Sequence, residues 1–221
     1  MKATKFIDLH SHTLFSDGVL LPSELIYRAK FSGYGALAIT DHGDVSTVDF
    51  VIPRIQRVSL ELSKHYSITV LPGIELTYVP PIQIAEMVKK CRKLGAKIIV
   101  VHGETTAENV PPGTNRAAVL SGADILAHPG FITDEEARLA ARNGVLLELT
   151  TRNGHNRTNG HVAKIAKKYG AKLVLNTDTH GPDDLLDIKK VKSVLEKSGL
   201  KIADYETILK NSANLVRSRS R

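Results

Sequence analysis

The chain has 221 residues and a mass of 24.1 kDa, which fits one ordinary domain, since single cores run to about 250 residues and α/β barrels use that length as one unit. Hydrophobic residues at 42%, charged residues at 24% and a mean hydropathy of -0.10 exclude a disordered or membrane-embedded chain. Thirty Lys+Arg against 23 Asp+Glu leave a formal charge of +7, which suits an anionic partner such as a phosphate ester or nucleic acid.

Short β-branched runs alternate with amphipathic stretches along the chain, the pattern of βα units around a parallel sheet. Lys5 to Asp8 reads as the first strand, followed by a helix from Pro22 to Lys30 that ends near Gly33. Ala36 to Thr40 is the second strand, Thr47 to Tyr66 a long helix with Pro53 as its first turn or a break, and Ile68 to Leu71 a third strand reaching Glu75. A helix from Pro81 to Leu94 and a strand from Lys97 to Val101 lead into the longest irregular stretch, Gly103 to Asn115, of a length that in compact domains tends to carry function. Asp124 to Ala127 is the fifth strand. Thr133 caps the next helix with Glu136 three residues on, and Val145 to Leu149 is the sixth strand. After a polar loop from Thr151 to Gly160 come a helix to Tyr169, a seventh strand at Lys172 to Leu175, and helical patterns at Pro182 to Lys197 and Ala203 to Leu215.

Seven such units of about 30 residues each predict a single-domain α/β fold over residues 1–221, a closed or nearly closed barrel one unit short of the common eight, with an open doubly wound sheet as the alternative. Residues from about 200 to 221 read as a C-terminal helix and a basic tail, with Arg217, Arg219 and Arg221 frayed. The lysine doublets 89–90, 167–168 and 189–190 read as solvated helix faces. The one cysteine, Cys91, permits no internal disulfide, and the start lacks the apolar core of a secretory signal, so a reducing cytoplasm is expected. No apolar run reaches membrane-spanning length, and nothing in the sequence fixes the oligomeric state.

The residues just past each strand carry the chemistry. His10, His12 and Asp17 come after the first, Asp41 and His42 after the second, and Glu75 after the third. His102 comes after the fourth, His128 after the fifth, and Asp178 and His180 after the seventh. Six of the nine histidines thus fall just past strand C-termini, which in a parallel barrel converge on one mouth. Imidazole nitrogen and carboxylate oxygen are the donors that divalent metals take, and His10 and His12, two apart on an extended segment, point the same way. A lone histidine at a strand end is ordinarily a hydrogen-bonded loop residue; this repeated register is not. His65 and His161 have no such placement and read as structural, whereas His155 fits either role.

The string Asp8-Leu9-His10-Ser11-His12 with Ser16-Asp17-Gly18, then Thr40-Asp41-His42, Pro72-Gly73-Ile74-Glu75, Val101-His102-Gly103, Ala127-His128-Pro129-Gly130 and Asp178-Thr179-His180, resembles the ordered motifs of the polymerase-and-histidinol-phosphatase (PHP) metallohydrolases. The resemblance spans Asp8 to His180 and implies a distorted (β/α)7 TIM-like barrel with a trinuclear centre that hydrolyses phosphate esters. By motif, His10, His12, Glu75 and Asp178 would hold one ion, Asp17, His42 and His180 a second, and Glu75, His102 and His128 a third. Many phosphatases of the family place a histidine where this chain has Asp17, whereas other members use an acid. Two to three ions of zinc, manganese or iron suit the mixed donor set. Asp8 and Asp41 would orient the neighbouring imidazoles from behind.

The implied reaction is attack on a phosphate monoester by a metal-activated hydroxide, with Asp178 or His180 relaying a proton. Arg116, Arg152 and Arg157 are the candidate phosphate clamp, because guanidinium presents a fork matched to phosphate oxygens, and His155 lies in the same donor-rich loop. The expected substrate is a small phosphorylated metabolite or nucleotide, histidinol-phosphate-like compounds included. The alternatives are a nuclease or exonuclease on the same centre and a non-catalytic RNA-associated barrel. Aromatics at 5% and the absence of Trp disfavour a single-strand binding surface.

Overall fold

The computed structural model of the protein describes residues 6–220. Its strands are β1 (Phe6–Asp8), β2 (Tyr34–Ile39), β3 (His42–Gly43), β4 (Thr69–Leu76), β5 (Ile98–His102), β6 (Ile125–Ala127), β7 (Leu146–Thr150) and β8 (Leu173–Asn176). Its α-helices are α1 (Pro22–Phe31), α2 (Val48–Tyr66), α3 (Pro81–Lys93), α4 (Thr114–Leu120), α5 (Asp134–Asn143), α6 (Asn159–Tyr169), α7 (Ile188–Lys197) and α8 (Ile202–Arg219). Every strand pairing is parallel, in the order β1-β2-β4-β5-β6-β7-β8, with the two-residue β3 added on β4. The fold is therefore the expected seven-stranded barrel with one short extra strand.

The barrel closes between β1 and β8 by a mixed seam. At its lower part side chains replace the ladder: Leu9 N–H donates to Asn176 Oδ1 at 2.9 Å and Thr177 N–H to Asp8 Oδ1 at 3.1 Å. Above them the backbone takes over, with Asp178 N–H donating to His10 O, His12 N–H to Thr179 O, and a bridge between Ser11 and Thr179. The seam thus ends where His10, His12 and Asp178 begin.

Alternation along the strands sorts the residues into layers. Leu9, Ala38, Leu71, Ile98, Val100, Ile125, Leu146 and Val174 fill the barrel interior, while Leu37, Ile39, Ile74, Val101, Leu126, Leu147 and Leu175 face the helices. Continuing the inward rows upward gives Glu75, His102, Glu148 and Asn176, so the interior changes from apolar to polar at the mouth. Leu215 and Val216 of α8 pack against the apolar layer from the opposite end.

Several expectations change. The loop after β5 ends at Thr114, where α4 begins, and Pro182 opens only a 3-10 turn before α7 starts at Ile188. Pro53 lies inside α2 without breaking it. The basic tail is not frayed at Arg217 and Arg219, which belong to α8, and Arg219 pairs with the buried Asp124 at 2.6 Å. Lys5 and Arg221 lie outside the described residues. The Thr133–Glu136 capping box forms as the spacing predicts, and among the described residues no helix is long and apolar enough to cross a membrane.

Candidate metal centre

The loops after β1, β6 and β8, the short β3, and the ends of β4 and β5 bring all nine motif residues into one continuous cluster. Ligand atoms of His10, His12 and Glu75 lie within 4.8 Å of one another. So do those of His10, His128 and Asp178, and those of His12, Asp17, His42 and His180. A fourth group joins His102, His128 and His155. His10, His12, Glu75, His102, His128 and Asp178 are buried, while Asp17 is exposed at the rim. Two of the nine, His128 at φ 25° and Asp178 at φ 56°, hold left-handed backbone. Such conformations cost of order 1–3 kcal/mol each and persist only where the surroundings enforce them.

The donor atoms fit divalent transition ions. His10 Nε2, His12 Nε2 and both Glu75 oxygens are fully buried yet make no hydrogen bond. They face one another and His42: Glu75 Oε2 lies 2.8 Å from His42 Nδ1, 3.3 Å from His10 Nε2 and 3.5 Å from His12 Nε2, and His12 Nε2 lies 3.0 Å from Asp178 Oδ1. Leaving buried polar atoms unpaired costs about 1–3 kcal/mol apiece, a cost that cations between them would remove.

The other ring nitrogens fix which atom is free to ligate. His10 Nδ1 donates to Glu148 Oε2 at 2.8 Å, His102 Nδ1 to Gly103 O at 3.0 Å, and His180 Nδ1 to Asp178 O at 2.8 Å. That leaves Nε2 of His10 facing Glu75 and Nε2 of His180 facing Asp17, while Nε2 of His102 faces Glu108 at 3.2 Å; a ring held through Nδ1 is the arrangement that orients a metal-bound imidazole. Glu148, whose Oε2 also accepts from Asn176 Nδ2, is the residue that sequence reasoning missed. The partners expected in that role do something else. Asp8 accepts from Thr177 and from the His10 backbone, and Asp41 from Thr13 and Ser16, so both brace the loops rather than the imidazole rings.

Electrostatics follow from this packing of acids among imidazoles. Burial opposes charge on every member, yet the imidazoles around Glu75 and Asp178 hold both carboxyls well below the usual range. Burial likewise opposes a charged His42, but Glu75 and Asp17 lift its ring to about 10. His128, which burial and the neighbouring His102 keep neutral, is pushed well down. Burial raises Asp8 to about 6 against its hydrogen bonds from Thr177.

The substrate-side residues divide. Arg152 and Arg157 line a cavity of about 600 Å³ with Asn153, Asn156, Lys190 and Lys197, and Arg152 approaches Asp184 at 3.6 Å. Asp184 in turn accepts from His180 N–H, which ties the cavity wall to the cluster. Arg116 instead pairs with Glu135 at 2.7 Å on the outer helices. His155 sits against His128, with ring centroids 4.4 Å apart, rather than in the cavity. His161 bonds Ile132 O and His65 is exposed, as structural residues would be.

The PHP domain model matches residues 8–109. The chain is 47% identical over 204 residues to the uncharacterized protein MJ1295 of Methanocaldococcus jannaschii, covering 91% of this chain and 94% of that one. It is 40% identical to the 5'-3' exoribonuclease Rnm of Salmonella typhimurium, but over only 72 residues, 33% of this chain and 22% of the relative. A probable phosphatase of Clostridium novyi is 26% identical over 215 residues, 86% of this chain and 85% of its own length. Among solved structures, a chain of archaeal ribonuclease P with mature tRNA matches at a TM-score of 0.74 and 20% identity, covering 97% of this chain and 91% of that chain, a likeness of fold. The chain belongs to the PHP domain family of phosphoesterases, whose model matches its residues 8–109.

Proposed function

We propose that the protein hydrolyses phosphate monoesters of a small metabolite or nucleotide, acting as one catalytic unit across residues 1–221 in a reducing, cytoplasmic setting. The observation that carries this reading is the set of buried, unpaired donor atoms on His10, His12 and Glu75 at the centre of nine ligand-type residues. Two to three zinc, manganese or iron ions held there would supply Lewis acidity and activate water at neutral pH. His10, His12, Glu75 and Asp178 form the innermost set, Asp17, His42 and His180 the rim set, and Glu75, His102 and His128 the third.

The protein's own residues then position and exchange protons. Asp178 stands centrally, with Oδ1 near His10, His12 and His180 and Oδ2 3.7 Å from His128. That location favours Asp178 over His180 for the proton transfer, because His180 commits Nδ1 to a carbonyl and turns Nε2 to Asp17. Arg152 and Arg157 hold the part of the substrate that extends into the adjoining cavity, assisted by Lys190 and Lys197. Arg116, bound to Glu135, and His155, bound among imidazoles, serve less well in that clamp.

A second reading, a nuclease on the same centre, is favoured by the stretch shared with Rnm and by the four cations of the cavity. A non-catalytic RNA-associated barrel fits less well, since the full ligand set is present. Hydrolysis of an aryl phosphate with added manganese, lost in His12→Ala and Asp178→Ala, supports the phosphatase. End-wise trimming of a labelled oligonucleotide without aryl phosphate turnover supports the nuclease. Salt-dependent RNA binding with neither activity overturns both.

A further inference from the structure

We propose that His155 is a protein ligand of the ion assigned to Glu75, His102 and His128, and that Glu108 closes this site on its solvent side. The proposal rests on the metal-centre reading above and adds two residues to it. His155 is nine-tenths buried, with 9% of its side chain exposed, and its Nδ1 has no hydrogen-bond partner. Its ring lies 4.4 Å from that of His128 and 5.9 Å from that of His102, and the three offer ligand atoms within 4.8 Å of one another. A buried histidine packed among imidazoles without a partner for one nitrogen is costly as a structural residue. Around a cation the same arrangement is favourable, and a set of three imidazoles suits zinc and its neighbours.

Glu108 completes the enclosure. Its Oε2 lies 3.2 Å from His102 Nε2 and its Oε1 3.6 Å from His155 Nε2, so one carboxylate spans both rings. Two loops are built to make that meeting. Glu104 accepts from Gly113 N–H and Asn115 N–H, and Asn115 Nδ2 donates to Pro129 O, which pins the base of the β5–α4 loop against the segment after β6. On the other side, Arg152 N–H donates to Thr150 Oγ1 and Asn156 N–H to Arg152 O, which folds the β7–α6 loop into the turn that carries His155. The loops touch at the residues next to the pair: a methyl on Gly154 would lie 3.4 Å from that of Ala107. This site is therefore enclosed by three loop segments, those after β5, β6 and β7, while the one at Asp17, His42 and His180 opens to solvent. The caged ion is the one the protein retains longest.

The test uses the full chain loaded with zinc and long-range proton–nitrogen correlation spectra of its histidine rings. The expected result is that one ring nitrogen of His155 moves to the metal-ligated position together with those of His102 and His128. His155 nitrogens that stay unchanged while His102 and His128 move overturn the proposal. If no histidine responds to zinc, the metal-centre reading itself fails. Dialysis against a chelator gives an independent readout by elemental analysis. His155→Ala and Glu108→Gln lose one ion at chelator levels the unaltered protein withstands; Glu108→Gln, an outer partner, lowers affinity by about 10- to 100-fold, and His155→Ala, which removes a ligand, by at least as much. Equal retention by both variants contradicts the assignment. If His155→Ala does not fold, the spectra of the unaltered protein still decide.

Discussion

Glu148 shows how a single side chain governs the centre without touching its interior. It lies inward on β7 between Leu146 and Thr150, and its carboxylate holds the His10 ring so that Nε2 faces Glu75. Glu148→Gln weakens metal binding by about 10- to 100-fold while keeping every ligand, as outer partners of ligating histidines do. Chelator competition measures this, and unchanged affinity would show that His10 is oriented by packing alone. Its role was legible only in part: an acid inside the apolar run Leu146 to Leu149 is a signal, but its partner His10 is 138 positions away. Asp8 and Asp41 were visible as acids beside histidines, yet sequence proximity does not say whether a carboxylate meets the ring or the backbone. Proton linkage belongs to this scale as well. With His42 lifted to about 10 by Glu75 and Asp17, its ring carries a proton near neutral pH in the metal-free protein and must lose it to ligate. Metal loading is therefore expected to release protons and to tighten as pH rises toward that value. Calorimetry in buffers of different ionisation enthalpy reads the release, and none would mean that His42 is not a ligand.

Among the elements, the turns after the strands matter more than the strands. Gly130, two residues past His128, has φ +61°, and a Cβ there would sit 1.9 Å from Glu104 O. Gly130→Ala combines a left-handed penalty of about 1 kcal/mol or more with a clash against backbone. It lowers the melting temperature and displaces His128; an unchanged melting curve would show that the loop yields freely. The strand and helix pattern was readable because apolar alternation and caps such as Thr133 with Glu136 are local signals. The two-residue β3 and the seven-residue α4 were not, being too short for periodicity and formed by tertiary contact. His155 could be assigned only once the β5–α4 and β7–α6 loops were seen to meet.

For the whole molecule, chemistry and stability occupy opposite ends of the barrel. At the end away from the metal cluster, buried Asp124 accepts from Ile99 N–H and pairs with both Arg92 of α3 and Arg219 of α8. Asp124→Ala frees two partly exposed arginines, which water can take up, and strips the Ile99 N–H of its acceptor, and costs about 1–3 kcal/mol. Arg219→Ala, at a partly exposed position, costs about 1 kcal/mol or less. Denaturant unfolding checks both, and equal effects would deny that α8 is anchored through the buried acid. The seven-unit barrel was legible because its period repeats, whereas the anchoring of the terminal helix was not, since arginines near a chain end read equally as solvated. Residues from His10 to His180 converge on one mouth, in groups that could hold a cluster of cations. Elemental analysis of the zinc- or manganese-loaded protein after gel filtration tests it most directly. About two to three ions per chain are expected, as in multinuclear hydrolytic sites, falling in Glu75→Ala. A protein that leaves the column metal-free would contradict it.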